Sequence, residues 1–267
     1  MYRELGPDDH LAILGLEPGE LPDAVLLLGV LDVHEGAKRF AGYLDDARFS
    51  RSETSASGIP YYLGQHAGVR VALSACFGGP IAVMFAHTWC GAGVPAVVQL
   101  GWYGALQEGT SLGDVVVPRH AERQDGVSDW YLPKGILSDA SPDLAEAIVA
   151  RLRARNIPAD QHAIYSTPAL LAESRDVIAD WSRHGYHGVD METAATFAVA
   201  KHMGVRRAAA LLRIDDLVAE EHSIARGLSR ELRAFMRERE REVVHAAIEA
   251  VGDARPGTGF VGGGRTL

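Results

Sequence analysis

The sequence has very little cysteine, with Cys76 and Cys90 as the two cysteines among 267 residues. Both lie in apolar surroundings, without a His or a further Cys at metal-ligand spacing. We therefore expect a buried, reduced pair rather than a disulfide scaffold. The sequence also lacks an uninterrupted apolar run of about eighteen residues, which a transmembrane helix needs, and a leading signal segment. These absences favour a cytoplasmic protein that does not bind membranes.

Positive charge is the second scarce feature. The chain has 26 Lys and Arg against 35 Asp and Glu, which gives a formal net charge of −9 at pH 7. A broad nucleic-acid surface needs clustered cations, so nucleic acid is not an expected partner. No G-x-G-x-x-G motif opens the first helix, which argues against a dinucleotide-dependent redox enzyme built on the turn at Gly78, Gly79 and Pro80. We expect no cofactor and no metal ion.

The composition and the apolar pattern predict an α/β fold. Hydrophobic residues make up 47% of the chain and charged residues 23%, as in ordinary globular domains. Short continuous apolar runs fit buried strands, and longer amphipathic segments fit helices. Because the two alternate along the chain, we expect a layered fold with a largely parallel sheet. The predicted strands are 24–31, 69–75, 96–100, 115–118, 162–165 and 208–214, and the predicted helices are 81–90, 141–155, a segment from about 174, 191–203 and 228–251.

Carboxylates follow two of the apolar runs. Residues 189–195 read VDMETAA, and Met191 and Glu192 stand where an apolar run meets the start of a predicted helix. The next predicted strand ends in Asp215 and Asp216. Open α/β sheets bind their ligands at the carboxyl ends of strands, so we expect these acids to face a ligand. The alternative is an acid that stabilises a helix N-terminus, together with acids that merely end a strand.

Glycines follow two other predicted strands. Gly78 and Gly79 come after the strand at 69–75, and Gly101 comes after the strand at 96–100. A residue without a Cβ lets the backbone approach an anion and point its N–H groups at it. We therefore expect an anion site at these glycines. Tight turns between strands and helices are the alternative.

In their order along the chain, these segments resemble the nucleoside phosphorylase and nucleosidase family, and most closely its uridine phosphorylase branch. The resemblance covers roughly residues 14–251 and implies a single-domain three-layer α/β/α fold over residues 1–252, with a central mixed, largely parallel twisted sheet. The Gly-rich remainder, residues 253–267, is expected to be disordered. The segments that carry the resemblance are LLLG (26–29), YLG (62–64), GGP (78–80), GWYG (101–104), GDVV (113–116), DGVS (125–128) and VDMETAA (189–195).

The resemblance implies cleavage of the N-glycosidic bond of a nucleoside. In the family, a Met-Glu pair holds the ribose, and an Asp after the next strand protonates the leaving base. Met191 and Glu192 are therefore the expected ribose contacts, and Asp216 is the expected catalytic acid. The expected base contacts are Leu170, Ser166 and Asp216, and the expected nucleophile or anion pocket consists of Gly29, Gly78, Gly79, Gln99, Gly101 and Trp102.

The sequence departs from the family at the phosphate contacts. Phosphorylases of the family place an Arg two residues before the glycine of the central turn and a Thr just after it, whereas this chain has Gln99 and Trp102. An amide and an indole do not replace a charge-assisted fork and a small hydroxyl. His34 stands near the place of a further Arg in the first-strand loop. We therefore favour water over phosphate as the nucleophile, oriented by Asp32 or His34.

Two alternatives to a nucleosidase stay open. One is a phosphate-dependent phosphorylase with a remodelled phosphate site, and the other is a nucleoside-binding member of the family without activity. The base is also open, because the uridine branch lacks an acid at Asp216 and its Gln-x-Arg uracil clamp is not recognisable in residues 166–175. Relatives complete the ribose pocket with residues of a second subunit, so we expect a homodimer or a ring of dimers.

Overall fold

A computed structural model describes residues 2–52, 58–220 and 223–253. None of the described helices is long and apolar enough to cross a membrane. Apart from Asp253, the tail predicted to be disordered lies outside the described residues. The helices are α1 (Pro7–Leu14), α2 (Val33–Ala41), α3 (Gly79–Gly91), α4 (Pro142–Ala154), α5 (Arg175–Arg183), α6 (Thr193–His202), α7 (Ser223–Arg226) and α8 (Arg230–Asp253). The strands are β1 (Ala24–Gly29), β2 (Asp45–Ser50), β3 (Tyr61–His66), β4 (Val69–Cys76), β5 (Ala96–Ala105), β6 (Val115–Arg123), β7 (Ser138–Asp139), β8 (Ala159–Ser166), β9 (Gly188–Asp190) and β10 (Arg206–Asp216).

The described strands form one mixed sheet in the order β10-β6-β8-β9-β5-β1-β4-β3-β2, with β7 beside β6. Its longest ladders, β10 on β5 and β8 on β6, are parallel. The chain β5-β10-β6-β8-β9 returns to β5 through an antiparallel pairing of β9, so these five strands close into a ring. The predicted mixed sheet is confirmed, and the ring is a feature that the sequence pattern did not show.

Side chains alternate between the two faces of the sheet, as they must in strands. Leu26 and Leu28 pack against the layer that contains α2, α4 and α8. Val25 and Leu27 pack against the layer that contains α1, α3 and α6. Because both faces of β1 are buried, its sequence is continuously apolar rather than alternating. The predicted three-layer α/β/α fold is confirmed.

The sheet brings several strand ends to one edge. β1, β5 and β10 run parallel as neighbours, so their carboxyl ends open on the same side. Gly29 ends β1, and Asp216 ends β10. β9 pairs antiparallel with β5 through Val189 and Gly104, and the chain after Val189 therefore runs back along β5 towards Gly101. This edge is where the sequence predicts the ligand site.

The helices α4 and α5 both follow a serine, but only one of the two serine hydroxyls caps its helix. Ser174 caps α5, since its hydroxyl accepts a hydrogen bond from the Val177 N–H at 3.3 Å. Ser141 precedes α4, but its hydroxyl accepts from the Arg207 N–H at 3.1 Å and ties the helix start to β10 instead. A neighbouring strand thus competes with the helix for the same oxygen.

Candidate active site

A cavity of about 470 Å³ opens at this edge of the sheet. Its size lies in the range of about 300–1,000 Å³ that is usual for small-molecule sites. Glu192 borders one part of the cavity, and Asp215 and Glu173 border another. The apolar walls include Leu31, Phe77, Trp102, Leu170, Met191 and Leu217. Such a cavity suits a ligand with an apolar body and polar groups at its ends.

The two sets of acids are separated along β5. Gly101 packs against β1 so closely that a Cβ there would lie 3.0 Å from the carbonyl oxygen of Gly29, and Glu192 lies beside Gly29. Asp215 pairs with Gly104, three residues further along β5. At a rise of about 3.3 Å per residue, Gly101 and Gly104 lie about 10 Å apart along β5. The two sets of acids therefore border different parts of the cavity, the expected ribose part beside Glu192 and the expected base part beside Asp215 and Glu173.

Two glycines of the expected anion pocket, Gly78 and Gly29, hold Glu192 in place. It is 6% exposed, and its Oε1 accepts a hydrogen bond from the Gly78 N–H at 2.7 Å. Gly78 has a φ of 80°, a backbone conformation that favours glycine. A Cβ at Gly29 would lie 2.5 Å from Oε2 of Glu192. Both glycines are therefore needed for the position of this carboxyl group, and Gly78 directs its N–H group at a side chain of the protein itself.

The pKa of Glu192 is unusual for a carboxyl group. Burial, reinforced by the neighbouring Asp190 carboxylate, raises this pKa to about 8, while N–H groups of Gly78 and Met191 act in the opposite direction. The free protein therefore holds a proton on Glu192 at neutral pH. Two ribose hydroxyls would donate to the ionised carboxylate, so ligand binding and loss of this proton are linked.

Asp190 fixes the start of α6. One of its oxygens accepts from the Ser166 hydroxyl at 2.5 Å, and the other accepts from the Thr193 N–H at 2.9 Å. The Ser166 oxygen in turn accepts from the Ala194 N–H at 3.0 Å. Ser166 was expected to contact the base, but it is fully buried and does not line the cavity. Its hydrogen bonds instead place β9 and α6, and hence Glu192, relative to β8.

The expected anion pocket is only partly assembled. Gln99 is fully buried and turned away from the cavity, because its amide oxygen accepts from the Thr196 hydroxyl at 2.7 Å. Gly79 does not line the cavity either; a Cβ there would lie 3.1 Å from the Val127 side chain, so this glycine permits close packing under α3. Trp102 lines the cavity and stacks edge-on against Phe40.

Cations are scarce around the cavity. Among the described residues that line it, Arg233 is the only Lys or Arg. Its Nη1 donates to the carbonyl oxygen of Leu228 at 2.5 Å, and Leu228 also lines the cavity. The Arg39 guanidinium lies over the Trp102 ring, but it is paired with Glu240 at 3.1 Å. The ribose part of the cavity therefore has no cation among the described residues that line it.

Of the two adjacent acids at the end of β10, Asp215 lines the cavity and Asp216 does not. One Asp215 oxygen accepts from the Ser223 N–H at 2.6 Å. Asp216 forms a buried ion pair with Arg213 at 2.8 Å and also accepts from the Ala219 N–H at 2.9 Å. The pairing of β10 with β5 shifts register between Arg213 and Asp215, and such a bulge changes the face to which the following side chains point.

Glu173 is a cavity acid that the sequence analysis missed. It follows a 3-10 turn, Leu170–Ala172, that carries the expected base contact Leu170 into the cavity. Its Oε1 is buried and has no hydrogen-bond partner among the described residues. Burial, followed by the nearby Asp215 carboxylate, raises the pKa of Glu173 to about 7. No motif marks this glutamate, and its distance from Asp215 in sequence gave no sign of their proximity.

The structure does not bring the predicted water-orienting residues to the cavity. His34 lies on an exposed face of α2 and is not among the residues that line the cavity. Asp32 caps α2, with one oxygen accepting from the Glu35 N–H at 3.1 Å. The first-strand loop instead contributes Val30 and Leu31. Both predicted residues thus belong to a solvent-facing helix start.

Comparison with known proteins adds independent information. The chain is 32% identical over 148 residues to a guanosine phosphorylase of Halorubrum lacusprofundi, covering 53% of this chain and 59% of that protein. It is 25% identical over 206 residues to a DeoD-type purine nucleoside phosphorylase of Roseobacter denitrificans, covering 76% and 86%. The crystal structure of a uridine phosphorylase from Vibrio fischeri matches with a TM-score of 0.76 at 20% identity, covering 90% of this chain and 95% of that one.

The structural match agrees with the described fold, and the sequence matches agree with the order of the motifs. The sequence profile of the phosphorylase superfamily matches residues 24–251, from the first strand to the end of the last helix. This range contains every side chain described above at the cavity. The chain therefore belongs to the phosphorylase superfamily.

Proposed function

We propose that the protein cleaves the N-glycosidic bond of a nucleoside with water as the nucleophile. Sequence relatives named as guanosine and purine nucleoside phosphorylases support cleavage at this bond. The cavity supports it too, because Met191 and Glu192 border one part of it and the acids Asp215 and Glu173 border another. Glu192 accepts hydrogen bonds from the ribose hydroxyls, and an acid of the base part protonates the leaving base as C1′ gains positive charge.

The observation that carries the choice of water is the position of the Glu192 carboxylate. It accepts from the Gly78 N–H and lies against Gly29, within the glycine turns that were predicted to receive an anion. A phosphate bound there would lie against this carboxylate, and no described residue lining this part of the cavity is a Lys or Arg. Burying a multiply charged anion without cationic partners is costly, whereas a water molecule is neutral.

The second candidate function is phosphorolysis. It is favoured by the names of the sequence relatives, which are phosphorylases. It requires a phosphate site built from residues other than Gln99 and Trp102, since the first is turned into the core and the second is an indole. Arg233, which lines the cavity, and Arg39, which lies against the Trp102 ring, are candidate cations for such a site.

The test is base release from adenosine, guanosine, inosine, uridine and cytidine, with and without millimolar phosphate. We expect the same rate of release in both buffers and free ribose as the sugar product. We also expect no thermal stabilisation by phosphate, whereas a ligand at a hundred times its dissociation constant adds about 2.7 kcal/mol to the free energy of unfolding. Release that requires phosphate and yields ribose 1-phosphate would establish phosphorolysis, and binding without release would establish a non-catalytic nucleoside binder.

We also propose that the chain forms a homodimer or a ring of dimers, as the resemblance implies. Large apolar side chains are exposed on α3 and in the loop after β6, namely Ile81, Met84 and Trp130. Apolar groups of this kind are enriched where subunits meet. Light scattering at micromolar concentration is expected to give at least twice the mass of one chain. A fully active monomer would contradict the proposal.

A further inference from the structure

Three acids lie at the base part of the cavity or directly behind it: Asp215, Asp216 and Glu173. A general acid must carry a proton at the working pH and must reach the leaving base. Asp216 fails the second condition, because it does not line the cavity. Its two oxygens already accept hydrogen bonds from Arg213 and from the Ala219 N–H.

Asp215 and Glu173 both line the cavity, but their hydrogen bonding differs. One Asp215 oxygen accepts a hydrogen bond from the Ser223 N–H at 2.6 Å. Glu173 has a buried oxygen, Oε1, without a partner among the described residues. A protonated carboxyl group can use such an oxygen to donate to a ligand, whereas a carboxylate left without donors is costly to bury. The difference divides the two acids into a charged member and a proton-bearing member.

We propose that Glu173 is the catalytic residue that protonates the leaving base, and that Asp215 is its positioning residue. This inference rests on the proposed cleavage of an N-glycosidic bond. The sequence analysis assigned the catalytic acid to Asp216 at the end of β10, whereas Glu173 lies on the segment between β8 and α5. Asp215 acts through its charge, which disfavours a second charge on Glu173.

The burial of Glu173 and the charges around it favour a Glu173 carboxyl group that is partly protonated near neutral pH. Burial and Asp215 both raise the pKa of Glu173, which reaches about 7. From α8, Arg233 lines the same cavity, with one nitrogen donating to the Leu228 carbonyl oxygen. Arg175 at the start of α5 is exposed and paired with Glu220 at 2.7 Å. Near neutral pH Glu173 is thus half protonated and can both give up and regain a proton, as general acids require.

The reaction balances with water as the only co-reactant. The bond from C1′ to the base nitrogen breaks, and its electron pair stays on the base. A basic atom of the base takes the proton from the Glu173 carboxyl group, so the base leaves neutral. Water adds its oxygen to C1′ and releases a proton, which returns to Glu173 through solvent once the base has left. The products are the free base and ribose.

The proposal is tested with Glu173→Gln, using a nucleoside of the panel that the wild-type protein cleaves. We expect turnover to fall at least about a hundredfold, since loss of a general acid typically costs about 10²–10⁴-fold. In the wild-type protein, kcat/KM is expected to fall on the alkaline side of its pH profile, because Glu173, with a pKa of about 7, ionises there. That fall should disappear in Glu173→Gln and return in part in Glu173→Asp, which a merely structural role would not produce.

Two further variants keep the test decisive. Asp215→Asn removes the charge that raises the pKa of Glu173, so the fall of kcat/KM should move to lower pH. Glu220→Gln removes an exposed acid near the same segment and should change neither turnover nor the pH profile. Glu173→Gln with turnover within threefold of wild type, or with the alkaline fall of kcat/KM intact, would overturn the assignment. If the wild-type protein releases no base from any nucleoside of the panel, the proposed function itself fails, and the assignment fails with it.

Discussion

Glu192→Gln is expected to lower kcat/KM for ribonucleosides by about 10- to 150-fold. The variant keeps the size of the side chain and an oxygen that accepts from the Gly78 N–H, but it loses the negative charge. Hydrogen bonds to a charged group contribute about 1.5–3 kcal/mol, and each 1.36 kcal/mol corresponds to a tenfold change in rate. The variant should therefore weaken the hydrogen bonds from the ribose hydroxyls and leave the fold stable.

The same variant can be checked against a second substrate. A 2′-deoxynucleoside offers the Glu192 carboxylate one hydroxyl fewer, so the variant should lose less activity on it. The melting temperature should stay close to that of the wild-type protein, and Glu35→Gln, an exposed acid on α2, serves as a matched control. Equal losses on ribonucleosides and 2′-deoxynucleosides would show that Glu192 supports the start of α6 and does not grip the ribose.

The pH dependence of Glu192 gives a signature of its own. Its raised pKa of about 8 means that the carboxylate is scarce below this pH. Because the ribose hydroxyls bind the ionised form, kcat/KM should rise with pH up to about 8. Glu173 must be protonated and ionises above about pH 7, so the two effects together predict a maximum between pH 7 and 8. Glu192→Gln should remove the rise on the acid side and leave the fall on the alkaline side.

Asp216→Asn is expected to destabilise the protein more than any other single change discussed here. The ion pair of Asp216 with Arg213 is buried, with the two side chains 12% and 7% exposed. Removing one charge of a buried pair typically costs about 3–5 kcal/mol, because the other charge stays buried. At about 2–4 °C per kcal/mol for domains of this size, the melting temperature should fall by at least about 6 °C.

Asp215→Asn is the matched comparison, since it removes the neighbouring acid from the same strand end. Asp215 has no described ion pair, and its hydrogen bond from the Ser223 N–H can be kept by the Asn side-chain oxygen. We therefore expect a small change in melting temperature for Asp215→Asn and a clear change in the pH profile. A normal melting temperature for Asp216→Asn, combined with a hundredfold loss of turnover, would return the proton-donor role to Asp216 as the sequence predicted.

Much of the fold could be predicted from the sequence because its causes are local. The continuous apolar run of β1 reflects burial on both faces of a strand, and the amphipathic segment at 142–154 reflects one buried face of a helix. The short β9 and the exposed β2 were missed, since three residues show no period and β2 has few apolar side chains. The closure of five strands into a ring depends on pairings between distant segments, which no local pattern records.

The candidate site likewise combines features that the sequence predicts with features that only the tertiary structure shows. The sequence by itself determined that Met191 and Glu192 stand at the start of a helix and that acids end β10, because helix starts and strand ends follow from local periodicity. Only the tertiary structure decided that Asp215 rather than Asp216 lines the cavity, since a bulge in β10 reverses the alternation of side chains. Packing between distant segments likewise places the Gln99 side chain in the core and Glu173 close to Asp215. Burial and long-range contacts set the protonation of these acids, and a linear pattern of residues contains neither.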